Sequence, residues 1–336
     1  MTYRAAIVGL GRQAEQHHIP GLLGCESADL VAICDVDPGR VAVYEERLSV
    51  PGYCDVSDLL AEQRLDFVIA STPHDAYPAV IEAAAKRGTH VLKEKPFARN
   101  LSEARRFHAL AKQAGITLMT ACSRRFNPLY QAFPGLLSHL GRIYFVEGRY
   151  TLGIRNPGAG WRGERVRAGG GCIIDMGYHM VDLVIWYFGQ PHQVAAHYSA
   201  AADPTVVYDS EDTAVITFNY ESGLYGTLTI SRSYPPKTER FTALGSGGSI
   251  TIDRSLLSVY DATGSLLETR SLACSEQYVA ATQIEYFCRM LSGKVVPVGL
   301  PVDHLAHLEF IDACYLSHEL GQFVELGRTR ENPWAA

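Results

Sequence analysis

The chain has no run approaching the ~18 consecutive apolar residues of a membrane span, and its N-terminus enters a strand-like stretch at once, without the charged and then apolar regions of a signal peptide. A cytoplasmic protein that meets no membrane is expected. It also lacks a basic stripe. Its 30 Lys and Arg stand against 36 Asp and Glu, a net charge of −6, so nucleic acid is not an expected partner. No CxxC pair occurs among the eight scattered cysteines (Cys25, Cys34, Cys54, Cys122, Cys172, Cys274, Cys288 and Cys314), which fits buried free thiols better than disulfides or zinc. Neither His17-His18 nor the pair His304 and His307 comes with the converging Cys, Asp or Glu of a closed metal site, so no metal is expected. Internal repeats and low-complexity linkers are missing as well.

What is present is an ordinary globular composition, 47% hydrophobic and 20% charged, over 336 residues, a length that suits two domains. From Thr2 to about Cys122 short apolar runs alternate with helical patterns. Strands are expected at Tyr3 to Val8, Leu30 to Cys34, Phe67 to Ala70, His90 to Leu92 and Thr117 to Met119. Helices are expected near Glu15 to Leu23, Gly39 to Arg47, Tyr77 to Arg87 and Ser102 to Ala114. Such alternation predicts an α/β Rossmann-type domain over residues 1–122, with a parallel sheet and ligands at the carboxyl ends of its strands.

After Pro128 the patterning changes. Ile143 to Thr151, Thr213 to Tyr220, Leu224 to Ser233 and Ser249 to Tyr260 are β-rich, broken by turns such as Tyr234-Pro235-Pro236. Residues 123–336 therefore read as an α+β domain with an open-faced, mainly antiparallel sheet, an early inserted helix at Asp175 and later helices near Val279 to Leu291 and Val302 to Leu320. The arginine-rich stretch Arg149 to Arg167 is a long connection of the kind that is more often functional than idle.

Two local patterns carry chemistry. The first strand runs into Gly9-Leu10-Gly11-Arg12-Gln13-Ala14 and then a helix, the GxGxx(G/A) arrangement. There Gly9 permits the tight turn, Gly11 lets backbone approach a pyrophosphate, and Ala14 lets helix pack on strand. The second strand ends at Asp35, 21 residues beyond Ala14, at the offset where an acidic side chain takes the ribose diol. Asp35 and Asp37 would repel a 2′-phosphate, so NAD is expected over NADP, although Arg12 or Arg40 could soften that preference.

The second pattern is Gly169-Gly170-Gly171 leading to Asp175, Gly177, His179, Asp182 and Trp186. At helical pitch Asp175, His179, Asp182 and Trp186 fall on one face, and the remaining faces are Ile, Met, Val, Leu, Tyr or Phe. The helix is expected to be buried nearly all round. A carboxylate one turn from an imidazole is the arrangement that orients a proton-transfer base. Taken without other signals, the same residues also read as backbone caps and a core histidine.

The fourth expected strand ends in Lys93-Glu94-Lys95-Pro96, at the sheet edge where a nicotinamide should lie. With the cofactor loop and the Asp175 helix, this makes the chain resemble the family of glucose-fructose oxidoreductase and inositol dehydrogenase. The shared pieces are the Gly9–Ala14 loop with His17 and Pro20, Ser71-Thr72-Pro73, Glu94-Lys95-Pro96, and the three glycines with Asp175, Gly177, His179 and Asp182. They span nearly the whole length. The resemblance implies Lys95, Asp175 and His179 as catalytic residues. It implies a cofactor site that includes Gly9, Gly11, Arg12, Gln13, Asp35, Ser71, Thr72, Pro73, Glu94 and Lys95, and association into a homodimer or homotetramer. Family members often have His where this chain has Tyr77, which bears on the positioning of the nicotinamide side.

The expected activity is reversible NAD-dependent oxidation of a secondary hydroxyl of a sugar, cyclitol or sugar derivative. His179 or Lys95 serves as base, and sequence does not separate them because two groups sharing a proton titrate as a pair. Expected substrate contacts are Arg124, Arg125, Arg155, Trp161, Arg162 and Tyr234, with Arg165 and Arg167 also in the loop. Arginine forks suit carboxylate or phosphate, which leaves an anionic or nucleotide-linked sugar open. Two other readings stay open at this point: a redox-neutral enzyme holding NAD tightly, and a non-catalytic dinucleotide or sugar sensor.

Overall fold

The computed structural model describes residues 2–271 and 276–327. The chain forms two compact units, Met1–Ala98 with Ser102–Phe126 and Cys274–His304, and Arg99–Leu101 with Asn127–Ala273 and Leu305–Ala336.

Among the described residues the first unit carries a six-stranded sheet: β1 (Tyr3–Val8), β2 (Ala28–Cys34), β3 (Gly52–Tyr53), β4 (Phe67–Ala70), β5 (His90–Glu94) and β6 (Leu118–Ala121), in the order β3-β2-β1-β4-β5-β6. All pairings are parallel. Ala5, Ala6, Ile7 and the whole of Phe67–Ala70 are fully buried, as strands covered on both faces must be. Val8 lies opposite Cys34 on one side and Ala70 on the other. The carboxyl ends of β1, β2 and β4 therefore finish level, and Gly9, Asp35 and Ser71 are the residues that follow them.

A wide π-turn at Ala14–His18 leads from the glycine loop into helix α1 (Ile19–Leu23), followed in order by α2 (Pro38–Leu48), α3 (Val56–Glu62), α4 (Tyr77–Arg87) and α5 (Leu101–Ala114). Asp37 and Asp55 cap α2 and α3 by accepting backbone N–H bonds. The sequence pattern does not reveal β3 or α3, which are too short to show periodicity, so the strand ending in Lys93-Glu94 is the fifth and not the fourth.

Helix α9 (Glu276–Leu291) also packs in the first unit, after α6 (Pro128–Leu136), α7 (Arg165–Ala168) and α8 (Tyr178–Phe188) in the chain. Its Val279, Ile284, Phe287, Cys288 and Met290 join Ile19, Leu22 and Phe67 in one apolar cluster. Phe287 meets Phe67 edge-on at 5.2 Å, and a Cβ at Gly21 would stand 2.8 Å from that of Ala280. A division of the chain at 122/123 therefore misassigns this segment. Composition changes mark where a chain leaves a domain, but not where a later helix returns to it.

The second unit holds a nine-stranded sheet among the described residues: β7 (Ile143–Gly153), β8 (Gln193–Ser199), β9 (Thr213–Asn219), β10 (Tyr225–Ser231), β11 (Ser233–Gly245), β12 (Gly248–Asp253), β13 (Leu256–Asp261), β14 (Leu266–Ser271) and β15 (Val324–Glu325), in the order β14-β13-β12-β11-β7-β10-β9-β8-β15. The β7–β10 pair is parallel and the other pairs are antiparallel. Helix α8 covers this sheet, with Met180 close enough to β7 that a Cβ at Gly148 would stand 3.3 Å from its sulfur. The last helix, α10 (Pro301–Leu320), follows α9.

Several local expectations change. Ser249 to Tyr260 is two strands that turn at Arg254, whose φ is 53°. Tyr234-Pro235-Pro236 lies inside β11, at a register irregularity between Ser233 and Thr238. Of the cysteines, Cys34, Cys122, Cys172, Cys288 and Cys314 are buried free thiols, Cys25 is half-buried and Cys54 is exposed. Cys274 lies outside the described residues. Among the described residues no helix is long and apolar enough to cross a membrane.

Candidate active site

The glycine loop closes β1 onto its neighbours. Gly9 has φ +91°, and a Cβ there would stand 2.5 Å from the Ser71 carbonyl oxygen. A Cβ at Gly11 would meet nothing within 4 Å, so that peptide faces open space at the mouth of the loop. The Leu10 N–H donates to Asp35 Oδ2 at 2.7 Å and the Asp37 N–H to Asp35 Oδ1 at 3.0 Å, which fixes the carboxylate beside the loop. Arg40 stands 4.0 Å from Asp35 and 3.6 Å from Asp37. Arg12 is exposed and donates to Gln16 at 3.0 Å. Thr72 Oγ1 donates to the Pro73 carbonyl at 3.2 Å. Ser71 Oγ is buried and has no hydrogen-bond partner among the described residues. A buried hydroxyl without a partner beside a glycine peptide that faces open space fits a dinucleotide with its phosphates on this loop.

Glu94, at the end of β5, ties that loop's helix to the strand that presents Lys95. Its Oε1 lies 2.8 Å from His18 Nε2 and accepts from Gln13 Nε2 at 3.3 Å. Burial pushes the Glu94 carboxyl up, but the His18 bond and charge, together with Lys95, outweigh it and hold the group below its ordinary range. A lowered folded-state pKa contributes stability that is present above about pH 4.5 and is lost as pH falls through the folded value. Glu94→Gln should therefore flatten the acid limb: between about pH 6 and pH 3 its urea midpoint should fall less than that of the wild type. Parallel acid limbs would refute the assignment.

Lys95 itself is half-buried, while Lys93, two residues earlier, is completely buried. The Lys93 Nζ donates to the carbonyls of Glu94, Pro96 and Phe97 at 2.9, 2.5 and 3.0 Å and sits 3.7 Å from the centre of the Tyr77 ring. Burial pulls this ammonium down to about 7, against the opposing charges of Glu103 and Glu94. Tyr77 is thus a buried ring stacked on His74 at 6.1 Å and packed on a lysine.

In the second unit the three glycines make a turn clamped by Glu211. Its Oε2 accepts from the Gly171 N–H at 2.7 Å, and its Oε1 from the Ile173 N–H and the Tyr315 hydroxyl, both at 3.0 Å. Its backbone carbonyl accepts from the Cys172 N–H at 2.7 Å. Burial pushes the Glu211 carboxyl up, and the bonds from Ile173, Tyr315 and Gly171 oppose that. From this clamp the chain enters a π-turn, Ile173–Gly177, and then α8. The sequence predicts a regular helix through Asp175; apolar periodicity does not distinguish a wide turn from an ordinary one.

Along Ile173–Phe188 every side chain is buried except those of Asp175, His179 and Trp186, which are half-buried. This is the stripe expected from the sequence, with one correction. Asp182 points into the core, where its Oδ1 lies 2.9 Å from His307 Nε2, and Tyr178 stacks on His307 at 5.4 Å. Asp175 Oδ2 accepts from Arg162 Nε at 3.0 Å, and the Arg162 guanidinium stands 4.3 Å over the Trp161 ring. The His179 ring lies 6.0 Å from that of Tyr150 on β7.

Of the expected substrate contacts, Arg162 and Trp161 are thus brought to Asp175. Arg155 and Tyr234 are exposed, the latter on β11, and Arg124 and Arg125 lie half-buried in a short turn after β6. Arg165 packs its guanidinium 4.9 Å over Tyr315 and donates to the Tyr198 hydroxyl, while Arg167 pairs with Glu164. Sequence reasoning missed Glu211, Lys93, His18 and Arg232. Arg232 is buried and donates to the Arg162 carbonyl at 3.1 Å, which anchors the loop. Burial of an Arg, a Glu and a Lys is a tertiary outcome with no periodic signal in the chain.

A family model described as an oxidoreductase family with an NAD-binding Rossmann fold matches residues 3–122, and one described as a GFO/IDH/MocA C-terminal domain matches residues 138–251. The chain belongs to the Gfo/Idh/MocA oxidoreductase family. It is 26% identical to D-apiose dehydrogenase from Paraburkholderia graminis, over 96% of this chain and 90% of that protein. Myo-inositol 2-dehydrogenase from Thermotoga maritima is 28% identical over 74% of this chain and 75% of that protein. A solved structure of levoglucosan dehydrogenase with NADH and levoglucosan superposes with a TM-score of 0.88, covering 97% of this chain and 100% of that one; at 19% identity it speaks to the fold. This Gfo/Idh/MocA protein is an oxidoreductase with NAD as its cofactor, and its first unit is the NAD-binding Rossmann domain.

Proposed function

We propose that this Gfo/Idh/MocA oxidoreductase reversibly oxidises a secondary hydroxyl of a sugar or cyclitol, with Lys95, Asp175 and His179 as its catalytic residues. The observation that carries the reading is the half-open stripe of Asp175, His179 and Trp186 on an otherwise buried helix: an acid–base pair left accessible where every neighbouring side chain is committed to the core. NAD, when bound, supplies the hydride acceptor. The His179 imidazole takes the hydroxyl proton, and Asp175, held by Arg162, is its orienting partner one turn away. The Lys95 ammonium, at the carboxyl end of β5, is assigned to stabilise the negative charge that the substrate oxygen develops. Relatives named for D-apiose and myo-inositol dehydrogenation support a neutral polyhydroxylated substrate.

The test is NADH formation from a panel of myo-inositol, D-xylose, D-apiose, levoglucosan, D-glucuronate and UDP-glucuronate. Stoichiometric NADH from a panel polyol is expected; sugar conversion without NADH release would overturn the net dehydrogenase reading. Asp35 is proposed to take the ribose diol. Asp35→Ser should raise the ratio of NADP to NAD turnover by about tenfold, since one carboxylate facing a phosphate is removed while Asp37 remains. An unchanged ratio would place the selectivity elsewhere.

A further inference from the structure

We propose that Lys93 is a positioning residue for Lys95: its buried ammonium holds the carbonyls that bracket Lys95 and so fixes the direction in which the Lys95 side chain leaves the strand end. The inference rests on the proposed role of Lys95.

Three observations carry it. The Lys93 side chain is placed so that its Nζ meets the carbonyls of Glu94, Pro96 and Phe97, one before Lys95 and two after it. An ammonium has three N–H donors, and these three acceptors use all of them. The residues that follow β5 belong to no regular element, so no ladder supplies the Pro96 and Phe97 carbonyls with donors. Finally, the cation is enclosed by the Tyr77 ring at 3.7 Å and the Phe97 ring at 5.8 Å, with Thr120 and Ala70 paired beside its backbone, and it has no exposed surface. A lysine with no exposed surface and every donor committed does not reach a substrate. It acts through the segment it grips. Lys93 thus fixes the backbone on both sides of Lys95, which leaves the Lys95 side chain a narrower set of directions than an unpinned turn would.

The experiment is a double-mutant cycle of Lys93→Met and Lys95→Met on the full chain, using the panel polyol of highest turnover, with NADH affinity followed by fluorescence titration and backbone amide exchange followed across residues 93–98. Lys93→Met should lower kcat about 10- to 100-fold, leave the NADH Kd within about threefold, and speed exchange in that segment. In the Lys95→Met background the same change should have no further effect on kcat, because the group it positions is gone. A Lys93→Met kcat within twofold of the wild type, unaltered exchange across 93–98, or an effect of full size persisting in the Lys95→Met background would overturn the inference and leave the role of Lys95 standing. Wild-type turnover in Lys95→Met would instead overturn the role of Lys95, and this inference with it. If Lys93→Met does not fold, Lys93→Gln, which keeps two donors, runs the same cycle with a smaller expected loss.

Discussion

Lys95→Met is expected to lower kcat by about two to four orders of magnitude while the NADH Kd changes by no more than about threefold. The substitution keeps the length and apolar stem of the side chain and removes its charge and donors. Lys95 is half-buried at the carboxyl end of β5, beside a Glu94 that is itself gripped by His18 and Gln13. The strand end is therefore braced independently of the Lys95 ammonium, and the loop at Gly9–Ala14 rests on Asp35 and Ser71 rather than on Lys95. Cofactor affinity and chemistry should separate for that reason. Steady-state NADH formation and a direct binding titration check the two halves of the prediction. A parallel loss in both would mean that Lys95 organises the cofactor site, and unaltered turnover would mean that it is a solvated strand end.

The second large effect is structural. Gly171→Ala should destabilise the protein by about 3 kcal/mol or more and abolish turnover. A Cβ at Gly171 would overlap the Glu211 carbonyl oxygen and stand 2.5 Å from its nitrogen and 2.8 Å from its carbonyl carbon. All three are backbone atoms, so no flexible side chain can yield. The displaced residue is also the one whose carboxylate and carbonyl satisfy Gly171, Cys172 and Ile173. Asp175 and His179 follow within one and two turns of that clamp, so a shift there moves both. Urea denaturation and turnover measured on the same variant check this. A folded, active Gly171→Ala would show that the turn can rearrange without consequence.

Much of this was legible in the chain. β1, β4 and α4 begin and end where the periodicity places them, and the three-glycine run leads into the segment whose half-buried positions are Asp175, His179 and Trp186. The pattern failed where elements are short, as at β3 and α3, and where regularity breaks, as at the π-turn through Asp175. It also failed for Asp182, which shares the spacing of the stripe but turns inward to His307. Spacing gives an angle around a helix axis. It does not tell which neighbour waits there.

The loop arginines divide on the same ground. Arg162, Arg165 and Arg167 look alike in sequence, yet one binds Asp175, one lies on Tyr315 and Tyr198, and one pairs with its own helix neighbour Glu164. Their partners come from segments distant in the chain or from a local turn that composition does not specify.

By itself the sequence determined the parallel βα alternation, the dinucleotide loop and the residue types of the half-open stripe at Asp175 and His179, because these depend on local spacing and on backbone needs that glycine satisfies. Only the tertiary structure decided which polar groups are buried and by what they are held: Lys93 by three carbonyls and a ring, Glu211 by three backbone amides and a hydroxyl, Asp182 by His307. Burying a charge is unfavourable until its partners are in place, and most of those partners are supplied by parts of the chain that meet only once it has folded.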